Sequence, residues 1–259
     1  MGRTMVLFPV RRLETRAVKR RYPSEHFQRE IALAHFKYIK FNRTAQNLRF
    51  DQKILSVPDF LPQNAFTILR DAAKQQVQSD RVHIPVHKRG ATISYHDLHY
   101  CAPELVAFYL SPELHAWCSD VIGEQVRPTP INDLSSCSLL IYDEPKDHIG
   151  WHYDIDFYRG RHFTALLSLE NTDAAHVGVS SANLLVRDGQ NETVIPTPPN
   201  TLVLFEGARI YHSVTELQER ELRVILSMTF CTDPSSTTLQ SLERRVKDIA
   251  YFGLRALWT

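Results

Sequence analysis

From about residue 135 onward, short runs rich in β-branched and aromatic residues follow one another closely, and that rhythm narrows the folds open to this chain. Strand-like runs fall at 136–142, 150–156, 162–169, 182–187, 192–195, 201–205, 210–214 and 222–230. Turn-forming stretches separate them, such as Arg187-Asp188-Gly189-Gln190-Asn191 and Pro196-Thr197-Pro198-Pro199-Asn200. Each supplies residues that tolerate the backbone angles of a reversal, and Asp188-Gly189 carries the signature of a tight hairpin. Strands do not alternate with helices here, which argues against a parallel doubly wound sheet. At 259 residues the chain is long enough for one large β domain with helical additions, or for two small domains. No Gly/Ser run, repeat or low-complexity block marks a linker.

Within this β-rich half lies an uncommon cluster of residue types. Of the 12 histidines, His152 alone has an aspartate two positions on, in His152-Tyr153-Asp154. Alone, a His-x-Asp is more often a surface hydrogen-bonded pair. Here Thr201-Leu202-Val203-Leu204-Phe205 reads as an apolar strand, Glu206-Gly207 turns the chain, and Arg209-Ile210-Tyr211-His212 brings a second histidine to a strand start. Residues i and i+2 of a strand share a face, so a single extended segment can offer His152 and Asp154 together while a partner strand supplies His212. Two imidazoles and a carboxylate on one side of a metal leave its other positions open, the arrangement Fe(II) needs to activate oxygen.

The segment 222–230 alternates, with Arg223, Ile225, Ser227 and Thr229 on one face. Arginine inside such a strand is costly unless paired, and its planar fork grips a carboxylate with two parallel bonds. A dicarboxylate such as 2-oxoglutarate lying between the strands would satisfy it; an edge-strand arginine in a surface ion pair is the plainer alternative.

The stretches Leu139-Leu140-Ile141-Tyr142 to Asp154, Gly160 to Leu169, and Gly207 to Arg223 together resemble the Fe(II)/2-oxoglutarate-dependent oxygenase superfamily, in the layout of its prolyl-hydroxylase-like branch. The resemblance covers about residues 135–232. It implies an α+β, mainly β fold, a double-stranded β-helix or jelly roll, buttressed by N-terminal helices and a C-terminal helix. It also implies a metal site of His152, Asp154 and His212 and a 2-oxoglutarate site of Arg223, Tyr142 and Thr164. The family often has a tyrosine where Ser168 stands, so that contact is not carried over. The cofactors implied are Fe(II) with 2-oxoglutarate and O2 as co-substrates, consumed with release of succinate and CO2. Halogenases of this superfamily replace the metal carboxylate by a small residue; this chain keeps Asp154, which implies hydroxylation.

The strings Lys88 to Tyr95 and Asp147 to Asp154 are similar to the branch containing free-amino-acid halogenases and their hydroxylase relatives. They imply a small substrate, a free basic amino acid or a derivative, with Asp156, Arg89 and His148 as candidate contacts and Trp258 as a candidate lid. Two other classes stay open: a hydroxylase of protein or peptide side chains, and a non-catalytic jelly-roll module that only binds metal or a partner.

Outside the β region the chain reads as support for one oxygenase domain spanning 1–259: a basic N-terminal extension (1–50), a helical support region (51–134), the core (135–232) and a C-terminal helix (233–259). Helices are expected after Ser24, over Pro62 to Gln78, and from Pro112 to a stop at Gly123, with Ser111 as cap. Leu239, Leu242, Val246 and Ile249 recur at helical spacing, predicting a helix that packs on an apolar stripe and exposes its charges. A net charge of +1 gives no whole-protein argument for nucleic acid or an anionic membrane, and no span is apolar enough to cross one. Four cysteines without a close pair fit reduced thiols and a cytoplasmic enzyme.

Overall fold

The computed structural model describes residues 36, 38–50, 54–77, 81–84, 88–130, 132–175 and 178–252, with backbone alone at 81–84, 239 and 250–252. The helix expected after Ser24, and Trp258, lie outside the described residues. Strands β1 (Ile54–Val57), β2 (Arg81–Ile84), β3 (Lys88–Ile93) and β4 (Arg127–Pro128) precede β5 (Cys137–Tyr142), β6 (His148–His152), β7 (His162–Asp173), β8 (Leu184–Asp188) and β9 (Asn191–Ile195). They are followed by β10 (Leu202–Phe205), β11 (Tyr211–Val214) and β12 (Glu221–Cys231). The helices are α1 (Gln63–Lys74), α2 (Tyr95–Cys101), α3 (Pro103–Tyr109), α4 (Pro112–Ile122) and α5 (Thr238–Phe252).

The strands form two facing antiparallel layers. One runs β1-β10-β7-β12-β5 and the other β6-β11-β8-β9, as a double-stranded β-helix does. β3 belongs to both: Ala91, Thr92 and Ile93 pair with β5, while Lys88 and Arg89 pair with β6. The Asp188-Gly189 hairpin joins β8 to β9, with Gly189 at φ 62.

Alternation along β12 explains the layering. Val224, Leu226, Met228 and Phe230 point outward into an apolar core shared with Leu69, Leu105, Phe108 and Trp117 from the helices. Each such side chain, fully buried, contributes roughly 1.5–3 kcal/mol. Between the sheets a second cluster holds Leu184, Val203, Phe205 and Val214. α4 begins and ends where its sequence dictates: Leu114 N–H donates to Ser111 Oγ, Pro112 occupies the first turn, and Gly123 stops it at φ 78. α1 stops at Lys74, short of the expected Gln78.

α5 reverses the expected orientation. Arg244 and Asp248 are buried, while Leu242 and Val246 are 59% and 60% exposed. Polar bonds to the 132–135 segment hold the helix instead: Lys247 Nζ reaches Asp133 Oδ1 at 3.0 Å and Ser135 Oγ at 2.9 Å, and Arg244 donates to Asn132 O. Among the described residues no helix is long and apolar enough to cross a membrane.

Candidate metal centre

β6 and β11 pair so that His152 and His212 face each other, ring centroids 4.1 Å apart. β6 ends at His152, so the shared face of a continuous strand does not place Asp154. The irregular segment beyond the strand does. Asp154 N–H donates to Gly207 O at 3.0 Å, and the carboxylate occupies the space a side chain at 207 would take, since a Cβ there would lie 2.1 Å from Asp154 Oδ2.

Asp154 Oδ1 stands 3.6 Å from His152 Nε2 and 3.7 Å from His212 Nε2, and one ligand atom from each residue falls within 4.8 Å of the others. Atoms bound at about 2.0–2.2 Å to a shared ion stand about 3 to 4 Å apart, so the donor set fits a metal. Both rings are oriented from behind. Nδ1 of His152 lies 2.8 Å from Gly150 O and Nδ1 of His212 lies 2.8 Å from Ile210 O. Donation at Nδ1 leaves the Nε2 lone pairs turned toward the carboxylate.

Thr164 Oγ1 donates to Asp154 Oδ2 at 2.6 Å. Burial works to raise the Asp154 pKa, but the charges of His212 and His152 and the Thr164 bond outweigh it and hold the carboxyl below its ordinary value. Thr164, expected beside the co-substrate, lines the cavity and also fixes the Asp154 carboxylate.

A cavity of about 170 Å³ opens from the three residues into the space between the sheets. β5 runs to Tyr142, turns through 143–147 and returns as β6, so Tyr142 lies at the end of the barrel remote from His152. On β12, Arg223 pairs with Tyr142. Tyr142 and Arg223 are 1% exposed. No protein group among the described residues hydrogen-bonds to Tyr142 OH or to Nε and Nη1 of Arg223. Burial lowers the Arg223 pKa to about 10 and raises that of Tyr142 to about 12, the latter opposed by the Arg223 charge. Buried donors without acceptors are costly, and a carboxylate would satisfy all of them.

Three expected substrate contacts are not brought to this cavity. Asp156 Oδ1 accepts from Tyr158 N–H at 2.9 Å and closes a turn. Arg89 pairs with Glu144 and Asp147, each at 3.5 Å. His148 contacts Lys146 O at 2.8 Å and faces away. Simple alternation would put His148 on the same face as His152, but the pairing with β11 shifts register between His212 and Val214, and this irregularity turns Ile149 inward instead. In place of those three, Lys88, Thr92, Asp133 and Lys247 line the cavity. The alternation of Lys88, Gly90 and Thr92 along 88–93 was the available signal for the first two; the Asp133–Lys247 pair, 114 residues apart, left none.

No family model matches the sequence, and no curated protein matches it either. Solved structures do. An oxidoreductase of the 2OG-Fe(II) oxygenase family from Burkholderia pseudomallei superposes with a TM-score of 0.55 at 13% identity, covering 72% of this chain and 88% of that one. The fold is that of the Fe(II)/2-oxoglutarate oxygenases. SnoK, a non-haem α-ketoglutarate-dependent carbocyclase from nogalamycin biosynthesis, gives 0.55 at 15% identity, over 78% of this chain and 92% of its own. A Trichoplax adhaerens prolyl hydroxylase in complex with a peptide fragment of the hypoxia-inducible factor oxygen degradation domain gives 0.53 at 16%, over 76% and 87%.

Proposed function

We propose that this chain is a single-domain, 2-oxoglutarate-dependent non-haem iron dioxygenase that hydroxylates a C–H bond of a small substrate, a free basic amino acid or a derivative. The observation that carries this reading is a one-sided His152, Asp154, His212 set in a cavity that Tyr142 also lines, with buried donors on Tyr142 and on its strand partner Arg223 that lack protein acceptors among the described residues. A module that only bound metal would have no use for the second feature.

Nε2 of His152, Oδ1 of Asp154 and Nε2 of His212 would hold Fe(II), and Arg223 with Tyr142 would hold the distal carboxylate of 2-oxoglutarate. Iron, 2-oxoglutarate and O2 together supply the oxidising power, with release of succinate and CO2 and transfer of one oxygen atom to the substrate. The chain contributes orientation and exclusion of water. Thr164 fixes one carboxylate oxygen, the backbone carbonyls of Gly150 and Ile210 fix the imidazoles, and Leu140, Ile149 and Leu166 give the interior apolar walls. A small, charged substrate is supported by the cavity's modest volume and by the opposite charges of Asp133 and Lys247, which line it with Ser227 and Thr229. The free thiols of Cys118, Cys137 and Cys231, all buried, support a reducing, cytoplasmic setting.

The test is mass spectrometry on anaerobically Fe(II)-loaded protein given 2-oxoglutarate and O2, with and without free amino acids including lysine, arginine and ornithine. Succinate that rises with the amino acids, with a product heavier by one oxygen, is expected. Succinate independent of the amino acids would redirect the search to peptides, and no succinate under any condition would remove the oxygenase reading.

A further inference from the structure

Beside the metal-facing set, the cavity holds a histidine that the set does not use. His162 is 6% exposed and lines the cavity, and its buried Nδ1 has no hydrogen-bond partner among the described residues. It shares a face of β7 with Thr164, about 7 Å along the strand, and Thr164 Oγ1 reaches Asp154 Oδ2 at 2.6 Å. A small molecule held at His162 can therefore extend over Asp154 and the two metal-facing histidines. Arg223 pairs with Asn171 and Cys231 with His162, which puts this histidine and the Arg223–Tyr142 pair at opposite ends of the β7–β12 ladder.

Tyr158 sets a carboxylate beside the imidazole. Its ring lies over His162 with centroids 6.1 Å apart and planes 22° apart, and its hydroxyl donates to Asp133 Oδ2 at 2.7 Å. One buried side chain thus brackets both groups. Asp133 also lines the cavity and is held as the carboxylate: burial works to raise its pKa, but the Lys247 charge and the Tyr158 bond outweigh it. Lys247 is already engaged by Asp133 at 3.0 Å, Ser135 at 2.9 Å and Asp248 at 3.3 Å. What this end of the cavity offers a ligand is acceptors: Asp133 Oδ2, which carries the Tyr158 bond alone, and Nδ1 of a neutral His162. A buried nitrogen left bare is costly, and a donor from a bound molecule removes that cost.

Resting on the function proposed above, we propose that His162 and Asp133 form the amine site of the substrate, the ammonium donating to His162 Nδ1 and to the Asp133 carboxylate while Tyr158 positions both acceptors. The substrate class this names is a primary amine.

Calorimetric titration of full-length protein loaded with Mn(II) and 2-oxoglutarate tests this without turnover. The probes are lysine, norleucine, which lacks the side-chain amine, and 6-aminohexanoate, which lacks the α-amine. Wild type is expected to bind lysine and to bind one analogue roughly 10- to 100-fold more weakly. His162→Phe is expected to erase that difference by weakening lysine to the level of the analogue, with Mn(II) and 2-oxoglutarate affinities unchanged; the analogue so matched identifies the amine held. Full retention of the preference for lysine in His162→Phe overturns the proposal. If that variant fails to bind Mn(II), Tyr158→Phe replaces it, keeping the ring but releasing Asp133; the preference is then expected to narrow, and an unchanged one overturns the proposal. A wild type that binds 2-oxoglutarate but none of the three probes overturns the amino-acid reading and this site with it, and one that binds no 2-oxoglutarate overturns the oxygenase reading, both results separable from failure at His162 alone.

Discussion

Gly207 and Asp154 are interlocked: the glycine carbonyl accepts the aspartate N–H at 3.0 Å, and the carboxylate fills the place of the missing side chain. Gly207→Ala must push the carboxylate away from both imidazoles. Loss of metal affinity of roughly 10- to 100-fold is expected, as for other changes to groups that orient ligands. Mn(II) titration checks it.

Arg223 carries a buried charge whose cost falls on the empty protein. Its Nε and Nη1 find no protein acceptor among the described residues, so Arg223→Met is expected to raise the stability of the protein without 2-oxoglutarate by about 1 to 3 kcal/mol. On the proposed function, 2-oxoglutarate is expected to raise the melting temperature of wild type, and the same change is expected to abolish that rise. Thermal melts with and without the co-substrate measure both; a variant less stable than wild type in its absence would show that the guanidinium is satisfied in the empty protein.

His99, on α2, is 4% exposed, and burial, reinforced by the charge of His96, lowers its pKa to about 4. The folded protein therefore holds His99 neutral while the unfolded chain protonates it near pH 6.5. Acidification favours the unfolded state as pH falls from about 6.5 to about 4, by roughly 3 kcal/mol at most. Denaturation at stepped pH should show His99→Leu losing less stability over this window than wild type.

Lys247 fastens α5. It pairs with Asp133, which is 4% exposed and whose carboxyl lies below its ordinary pKa because the Lys247 charge and the Tyr158 and Ser135 bonds outweigh burial. Lys247→Met strands that carboxylate at a cost of roughly 3 kcal/mol. Hydrogen exchange should report it as faster exchange confined to 238–252, with the strands unchanged.

Periodicity and turn chemistry were legible in the sequence for local reasons. Asp188-Gly189 needs only its own backbone angles, and α4 needs only Ser111, Pro112 and Gly123. That His152, Asp154 and His212 come together was legible because their types are rare in combination. Features set by distant partners were not. The helical wheel of α5 marks Leu242 and Val246 for burial and cannot anticipate that Lys247 and Arg244 bond a segment more than a hundred residues earlier. Alternation on β6 points His148 inward and cannot see the irregularity that a partner strand imposes. Arg89 and Asp156 looked available for a ligand because sequence hides their nearer partners, Asp147 and the Tyr158 amide.

The double membership of β3 has a consequence for access. Hydrogen-bonded to one strand of each sheet, it acts like the spine of a book, and the covers can part only away from it. The fore-edge is the side where β6 runs out, where Asp154 and α5 lie. Any parting of the layers is therefore expected over the three clustered residues, while the far end of the cavity, beside Tyr142, stays bound into the spine.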